Sequence, residues 1–288
     1  MKESSRLLLA FGVVSFAAVA VGALVCARSG VPTGLWLRNL AAWAVGGLAA
    51  CGLAVAARPS VLPVALLAAP LGLGASLLAR GQDGVHRWLD LGPLHMNAAM
   101  LLLPAGVVAL ASLGGSQRWP WVVTFAALAL LVVQPDASQA TAFGACLALL
   151  AAFAPWPRAV RASVAALAGL GAAAAWLRPD PLQPVLEVEG IIAVAWTAAP
   201  LIAGLAVVVL AAVAVAPALA ARASRPPLRV AGVALSLCFL LWAATPLVGA
   251  FPVPFVGIGM SPILGGWLGV GMLAALLRRP EFTVDSTT

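Results

Sequence analysis

Apolar runs of roughly 16 to 30 residues, separated by short clusters of Arg, Pro, Gly and acids, repeat along the entire chain. Each run is about long enough, at 1.5 Å per residue, to cross a hydrocarbon layer about 30 Å thick as a helix. Breakers and charges divide the sequence into ten predicted helices: 7–27, 36–57, 61–80, 95–113, 119–134, 139–154, 159–177, 191–220, 228–249 and 262–277. The pattern therefore predicts an all-α integral membrane protein, with residues 1–288 forming a single polytopic domain. A Pro/Gly-rich stretch, Phe251 to Pro262, precedes the last helix and reads as a re-entrant hairpin whose backbone must be buried in protein or face water.

Composition agrees with this reading. Hydrophobic residues make up 63% of the 288 and charged residues 9%, with a mean hydropathy of +1.08. That leaves too little polar surface to cover a soluble globule. The first run follows Lys2 and Arg6, as a signal peptide would, but it is long and further spans follow it at once, so it is read as a retained helix. The net charge of +7 does not indicate a nucleic-acid binder, because the basic residues are scattered at helix ends and form no stripe.

Ten spans put both termini on one side. That side collects Lys2, Arg6, Arg58, Arg118, Arg158, Arg161, Arg222, Arg225, Arg229, Arg278 and Arg279, which the positive-inside rule makes cytoplasmic. Arg28, Arg38, Arg80, Arg87 and Arg178 fall on the other side. The acids did not set this topology, yet all six between the tails, Asp83, Asp90, Asp136, Asp180, Glu187 and Glu189, segregate to the outer face. Glu3, Glu281 and Asp285 are inside. Acids are costly near lipid, so a one-sided set marks a face where chemistry on a polar, membrane-borne substrate could take place.

Cys26, Cys51, Cys146 and Cys238 lie in apolar runs without CxxC spacing and read as packing residues. Neither His86 nor His95 has neighbours spaced for a metal site. Trp36, Trp88, Trp119, Trp121, Trp156 and Trp176 lie near span ends, where interfacial anchors sit. The glycines of 46–52 and 265–271 offer faces for close helix packing.

Three outer segments together carry a family resemblance. The segment His86-Arg87-Trp88-Leu89-Asp90-Leu91-Gly92-Pro93 resembles the Arg-Trp-x-x-Leu-Gly loop of the shape, elongation, division and sporulation (SEDS) family, the FtsW/RodA/SpoVE type of bacterial cell-wall glycosyltransferases. Gln134-Pro135-Asp136 resembles that family's Gln-Pro-Asp turn, and Phe251 to Ser261 its Pro-Leu-Pro-Phe-x-Ser-Tyr-Gly-Gly-Ser hairpin. The three occur in the family's order, in matching loops of a ten-span chain.

The departures are as informative. Asn97-Ala98-Ala99-Met100 stands where the family usually has Gln-Pro-Ser-Glu, and Ser138-Gln139 where Gly-Thr follows the Gln-Pro-Asp turn. The family's long loop between the seventh and eighth helices, with an aspartate taken to be catalytic in a Thr-Asp-Phe-Ile-Phe-Ala stretch, is reduced to Arg178–Gly190. Val188-Glu189-Gly190-Ile191-Ile192-Ala193 can be laid over that stretch, which puts Glu189 at the aspartate. Glu187, or no equivalent at all, remains an alternative.

The resemblance implies polymerisation of lipid II, an undecaprenyl-linked precursor, at the outer face of the bacterial cytoplasmic membrane. A sugar hydroxyl attacks an anomeric carbon and undecaprenyl pyrophosphate departs. Such a reaction needs a carboxylate to take the proton and cations for the leaving group. Glu189 and Glu187 are the candidate catalytic residues, and Arg87, Trp88, Asp136 and Arg178 the candidate substrate contacts. Plainer readings stand beside these: first-turn helix acids for Glu187 and Glu189, an ion pair with Asp83 or Asp90 for Arg87, a rigid turn pairing Arg178 with Asp180, a helix cap for Asp136, and an interface anchor for Trp88. No resident cofactor is identifiable, although a divalent cation at the pyrophosphate is compatible with the chemistry. The family typically works with a single-pass transpeptidase. The shortened loop keeps open a non-catalytic member that binds a lipid-linked precursor or scaffolds envelope enzymes. A transporter of a lipid-linked substrate ranks third, since no charge lies deep in any predicted span.

Overall fold

A computed structural model gives the positions of residues 2–92, 94–115, 117–223 and 225–278. Pro93, Arg279, Glu281 and Asp285, used above in the motif and the topology, lie outside the described residues. The elements are α1 (Glu3–Arg28), α2 (Thr33–Ala56), α3 (Val61–Ser76), β1 (Trp88–Leu91), β2 (Leu94–Asn97), α4 (Ala98–Leu113), α5 (Trp119–Val133), α6 (Ala137–Ala152), α7 (Arg158–Trp176), α8 (Ile191–Ala198), α9 (Pro200–Val215), α10 (Pro226–Ala244) and α11 (Met260–Arg278). Six of the described helical stretches are long and apolar enough to cross a membrane, and α3, α4, α5 and α6 are shorter apolar helices. The protein is an all-α, multi-pass membrane protein.

Differences from the predicted helices have local causes. The predicted helix 191–220 breaks at Ala199, whose extended backbone (φ −166°, ψ 114°) precedes Pro200. Proline disfavours the helical region for the residue before it and has no N–H to continue the ladder. The fourth helix begins at Ala98 rather than at 95, because residues 94–97 pair antiparallel with 88–91 in the register Trp88↔Asn97 to Leu91↔Leu94. Asn97 then caps α4, accepting the Met100 N–H at 2.9 Å.

The bundle is built around α11, whose most apolar stretch is 78% buried, against 11% for α7 at the periphery. A β-carbon on Gly265 would run into the Met100 carbonyl of α4, so this glycine permits the close α4–α11 contact. Phe11 of α1 and Phe239 of α10 receive Phe255 from the Pro/Gly hairpin, with ring centroids 6.0 Å away in each case, and Trp267 of α11 packs edge-on against Phe11. Phe255 has φ +63°, a left-handed conformation that costs a large residue about 1–3 kcal/mol and persists where packing over-determines it.

Two smaller expectations change. Trp121 is buried, donates to the Gly114 carbonyl at 2.9 Å and stacks near Trp156, so it does not face the membrane surface. Cys51 is exposed on α2, whereas Cys26, Cys146 and Cys238 are buried.

Candidate functional site

At the end of the bundle where α6 begins, four segments converge: the β1–β2 hairpin, the turn Gln134–Asp136, the loop 178–190 and the hairpin 251–261. They enclose a polar cleft of about 280 Å³. Its foundation is Gln134, 1% exposed, whose carboxamide donates to the Leu73 carbonyl at 2.8 Å and to Ser76 Oγ at 2.7 Å. These bonds tie the turn to the C-terminal end of α3, where helix carbonyls lack intrahelical donors.

Arg87 opens onto this turn and is 6% exposed. Its Nε donates to the Gln134 carbonyl at 3.1 Å, and its Nη2 to the Pro135 carbonyl at 2.5 Å and to Asp180 Oδ2 at 2.6 Å; Asp136 Oδ2 lies 3.8 Å from Nε. A planar guanidinium with five donors suits such a junction. Among the described residues, Arg87 is the ion-pair partner of Asp180, so the turn pairing of Arg178 with Asp180 is replaced by a link across 93 positions of sequence. The pairing of Arg87 with Asp83 or Asp90 is replaced likewise: Asp90 bonds its cross-strand neighbour His95 at 2.6 Å.

Asp136 caps α6, accepting the Gln139 N–H at 3.2 Å. Burial pushes its carboxyl above the usual aspartate range, and this outweighs Arg87, the Gln139 N–H and the Asn97 side chain, all of which favour the anion. The negative charge of Asp180, on the same guanidinium, adds a smaller push in the same direction.

Glu187 and Glu189 do not lie in the first turn of a helix. They belong to a single turn before Gly190, and Glu189 closes it by accepting the Val185 N–H on Oε2 at 2.7 Å. Desolvation raises the Glu189 carboxyl above the ordinary glutamate range; its bonds to the Val185 and Glu189 backbone and the charge of Arg87 offset this only in part.

This turn is seated on the hairpin by backbone bonds, Val253 N–H to the Val188 carbonyl at 3.1 Å and Ile258 N–H to the Glu187 carbonyl at 2.9 Å. From the other side Asn39 of α2, 4% exposed, donates to the Gly257 carbonyl at 2.9 Å and accepts the Gly259 N–H at 3.1 Å. The hairpin's backbone groups are thus met by protein, as burial in a bundle requires.

Of the residues singled out from sequence, Arg87, Trp88, Asp136 and Glu189 line the cleft. Glu187 contributes its backbone beneath the cleft, and Arg178 lies exposed outside its lining. The structure adds Asp180, Asn97, Ser138, Gln139 and Ser261 to the wall, and Asn39 beneath it. The one sequence signal for Asn39 is an amide beside Arg38 near the start of a largely apolar helix. Chemically the cleft offers a carboxylate with raised proton affinity at its rim and neutral amides and hydroxyls on its walls. Its guanidinium is already engaged with two carbonyls and two carboxylates.

Solved structures share this fold. The rod shape determining protein RodA of Thermus thermophilus superposes with a TM-score of 0.66 at 21% identity, over 93% of this chain and 95% of that one. A peptidoglycan synthase complex that coordinates polymerization and crosslinking contains a chain matching with a TM-score of 0.63 at 22% identity, over 92% of this chain and 96% of its own. No protein-family model and no curated protein matches the sequence.

Proposed function

We propose that this protein is a compact SEDS-type protein of the bacterial cytoplasmic membrane that takes a lipid-linked glycan precursor such as lipid II into the cleft and extends a glycan there, with Glu189 as the general base. The observation that carries this reading is the seating of Glu189: a partly desolvated carboxylate, held by the Val185 N–H of its own loop, lines the same polar cleft as the three segments that resemble the family's motifs. A base of raised pKa is better matched to a sugar hydroxyl near neutral pH than an ordinary carboxylate is. In this reading Trp88 forms a wall for the sugar, Asp136 and Arg87 hold the floor, and Arg178 meets the pyrophosphate from outside the cleft. Both termini are cytoplasmic, and a single-pass transpeptidase is the expected partner, in keeping with the synthase complex among the structural neighbours. The test is extension of labelled lipid II by the purified protein, with and without such a partner: growth of polymer that Glu189→Gln abolishes supports the reading, and its absence from the wild-type protein overturns catalysis.

A second reading has an observation of its own. Arg87 is committed to Gln134, Pro135, Asp136 and Asp180, so among the described residues no guanidinium in the lining is free to receive a departing pyrophosphate. This favours a non-catalytic member that holds the precursor's head group or scaffolds an envelope enzyme. Binding of labelled lipid II without extension, unaltered by Glu189→Gln, identifies it.

A further inference from the structure

The cleft lies at one end of the bundle; the opposite end is nearly all of one sign. Among the described residues that end carries Lys2, Arg6, Arg58, Arg118, Arg158, Arg161, Arg222, Arg225, Arg229 and Arg278, with Glu3 its single acid. Arg229 lines a groove among apolar residues of α6 and α10. Arg158 and Arg161 stand as a pair at another. Together with Ala148, Ala152, Ala162 and Ala165 they line a groove of about 320 Å³ between the end of α6 and the start of α7.

The groove has the two parts of an amphiphile's binding site. Arg158 and Arg161 are three residues apart on α7 and so share a face. Arg161 is half-buried, and its Nη1 donates to the Ala152 carbonyl, the last of α6, at 2.8 Å. That bond fixes the guanidinium at the groove's mouth, while its remaining N–H groups have room for a further acceptor. Pro157, which precedes α7, gives that helix no side-chain cap, and no acid stands in its first turn to compete for an anion. Below the arginines the walls are alanine methyl groups, and α7 is the least buried of the long helices, so the groove opens sideways to where lipid chains run.

We propose that this groove binds the phosphate of an anionic phospholipid between Arg158 and Arg161, with an acyl chain laid along Ala148, Ala152, Ala162 and Ala165. Basic pockets between transmembrane helices hold lipid head groups through charge, and the methyl trench adds a preference for a tethered chain over a free anion. The site is separate from the cleft and does not depend on glycan chemistry.

The test uses the full chain in detergent, with retained lipid counted by native mass spectrometry and thermal stability measured after adding phosphatidylglycerol, phosphatidylcholine or inorganic phosphate. Phosphatidylglycerol is expected to be retained and to raise the melting temperature, and the other two are not. Arg158→Gln/Arg161→Gln should weaken its retention roughly thirtyfold, on the usual worth of two cations at a membrane surface. Arg6→Gln/Arg58→Gln, which removes the same charge elsewhere on that end, should leave retention unchanged. Ala162→Leu keeps both arginines and fills the trench, so it reports on the groove even if the arginine variant fails to fold; it should lower retention. Equal loss in the Arg6/Arg58 variant, equal retention of phosphatidylcholine, equal stabilisation by inorganic phosphate, or full retention in Ala162→Leu would each overturn the proposal.

Discussion

Arg87 and Asp180, 93 positions apart in sequence, meet at 2.6 Å and join the Arg-Trp segment to the loop that carries Glu189. Because Arg87 is buried and also faces Asp136, removing it leaves two carboxylates and two carbonyls without their donor. Arg87→Met is expected to destabilise the protein by about 3–5 kcal/mol, as loss of one partner of a buried pair does. Asp180→Asn should cost about 1 kcal/mol or less, since that side chain is 27% exposed and Arg87 keeps its other acceptors. Thermal unfolding in detergent compares the two; equal losses would contradict the unequal burial of the pair.

Asn39 makes two opposed bonds to the hairpin, and the hairpin supports the turn of Glu189. Asn39→Ala leaves the Gly257 carbonyl and the Gly259 N–H without this partner and should cost about 1–3 kcal/mol. The same change should increase labelling of a cysteine placed at Ile258 by water-soluble reagents. Asn39→Asp keeps the acceptor but sets a second buried oxygen against the Gly257 carbonyl, and should cost at least as much as Asn39→Ala.

Glu189 and Glu187 are adjacent in type and different in position, one on the cleft and one under it. If glycan extension is present, Glu189→Gln should lower it by about 10²–10⁴-fold, the usual contribution of a general base. Glu187→Gln, whose backbone bond to Ile258 survives, should lower it by less than about tenfold. The two rates, measured side by side with labelled lipid II, separate the candidates.

Burial raises the proton affinity of both Asp136 and Glu189. Each binds its proton more tightly folded than unfolded, so its contribution to stability is greatest below the usual carboxylate range and falls as pH rises through the raised folded value. Asp136→Asn and Glu189→Gln should therefore each flatten the decline in melting temperature above the ordinary carboxylate range. Any extension activity should show the opposite dependence, rising with pH as Glu189 ionises, with an acid limb above that of an ordinary glutamate.

The site was legible in sequence to unequal degrees. The Arg-Trp loop, the Gln-Pro-Asp turn and the Pro/Gly hairpin could be read as one constellation, and the structure brings them to one cleft. Asp136 could be read as a helix cap, because capping is settled by residues three positions apart. Glu189 could not be separated from Glu187 by counting; only the backbone bonds to Val253 and Ile258 give one the cleft and the other its underside. The break at Ala199 was written in Pro200, yet the apolar run around it concealed the break, since hydropathy does not register a lost backbone bond.

Taken alone, the sequence determined that the chain is a multi-pass, all-α membrane protein and where most of its helices lie. Those are decided one segment at a time, by the cost of placing each residue in hydrocarbon. The tertiary structure decided what the charges do. Asp180 turned from its neighbour Arg178 to Arg87, and Asn39 reached the Gly257 carbonyl 218 positions away. A buried polar group must find a partner wherever packing brings one within about 3 Å, and that partner is set by how the helices stack.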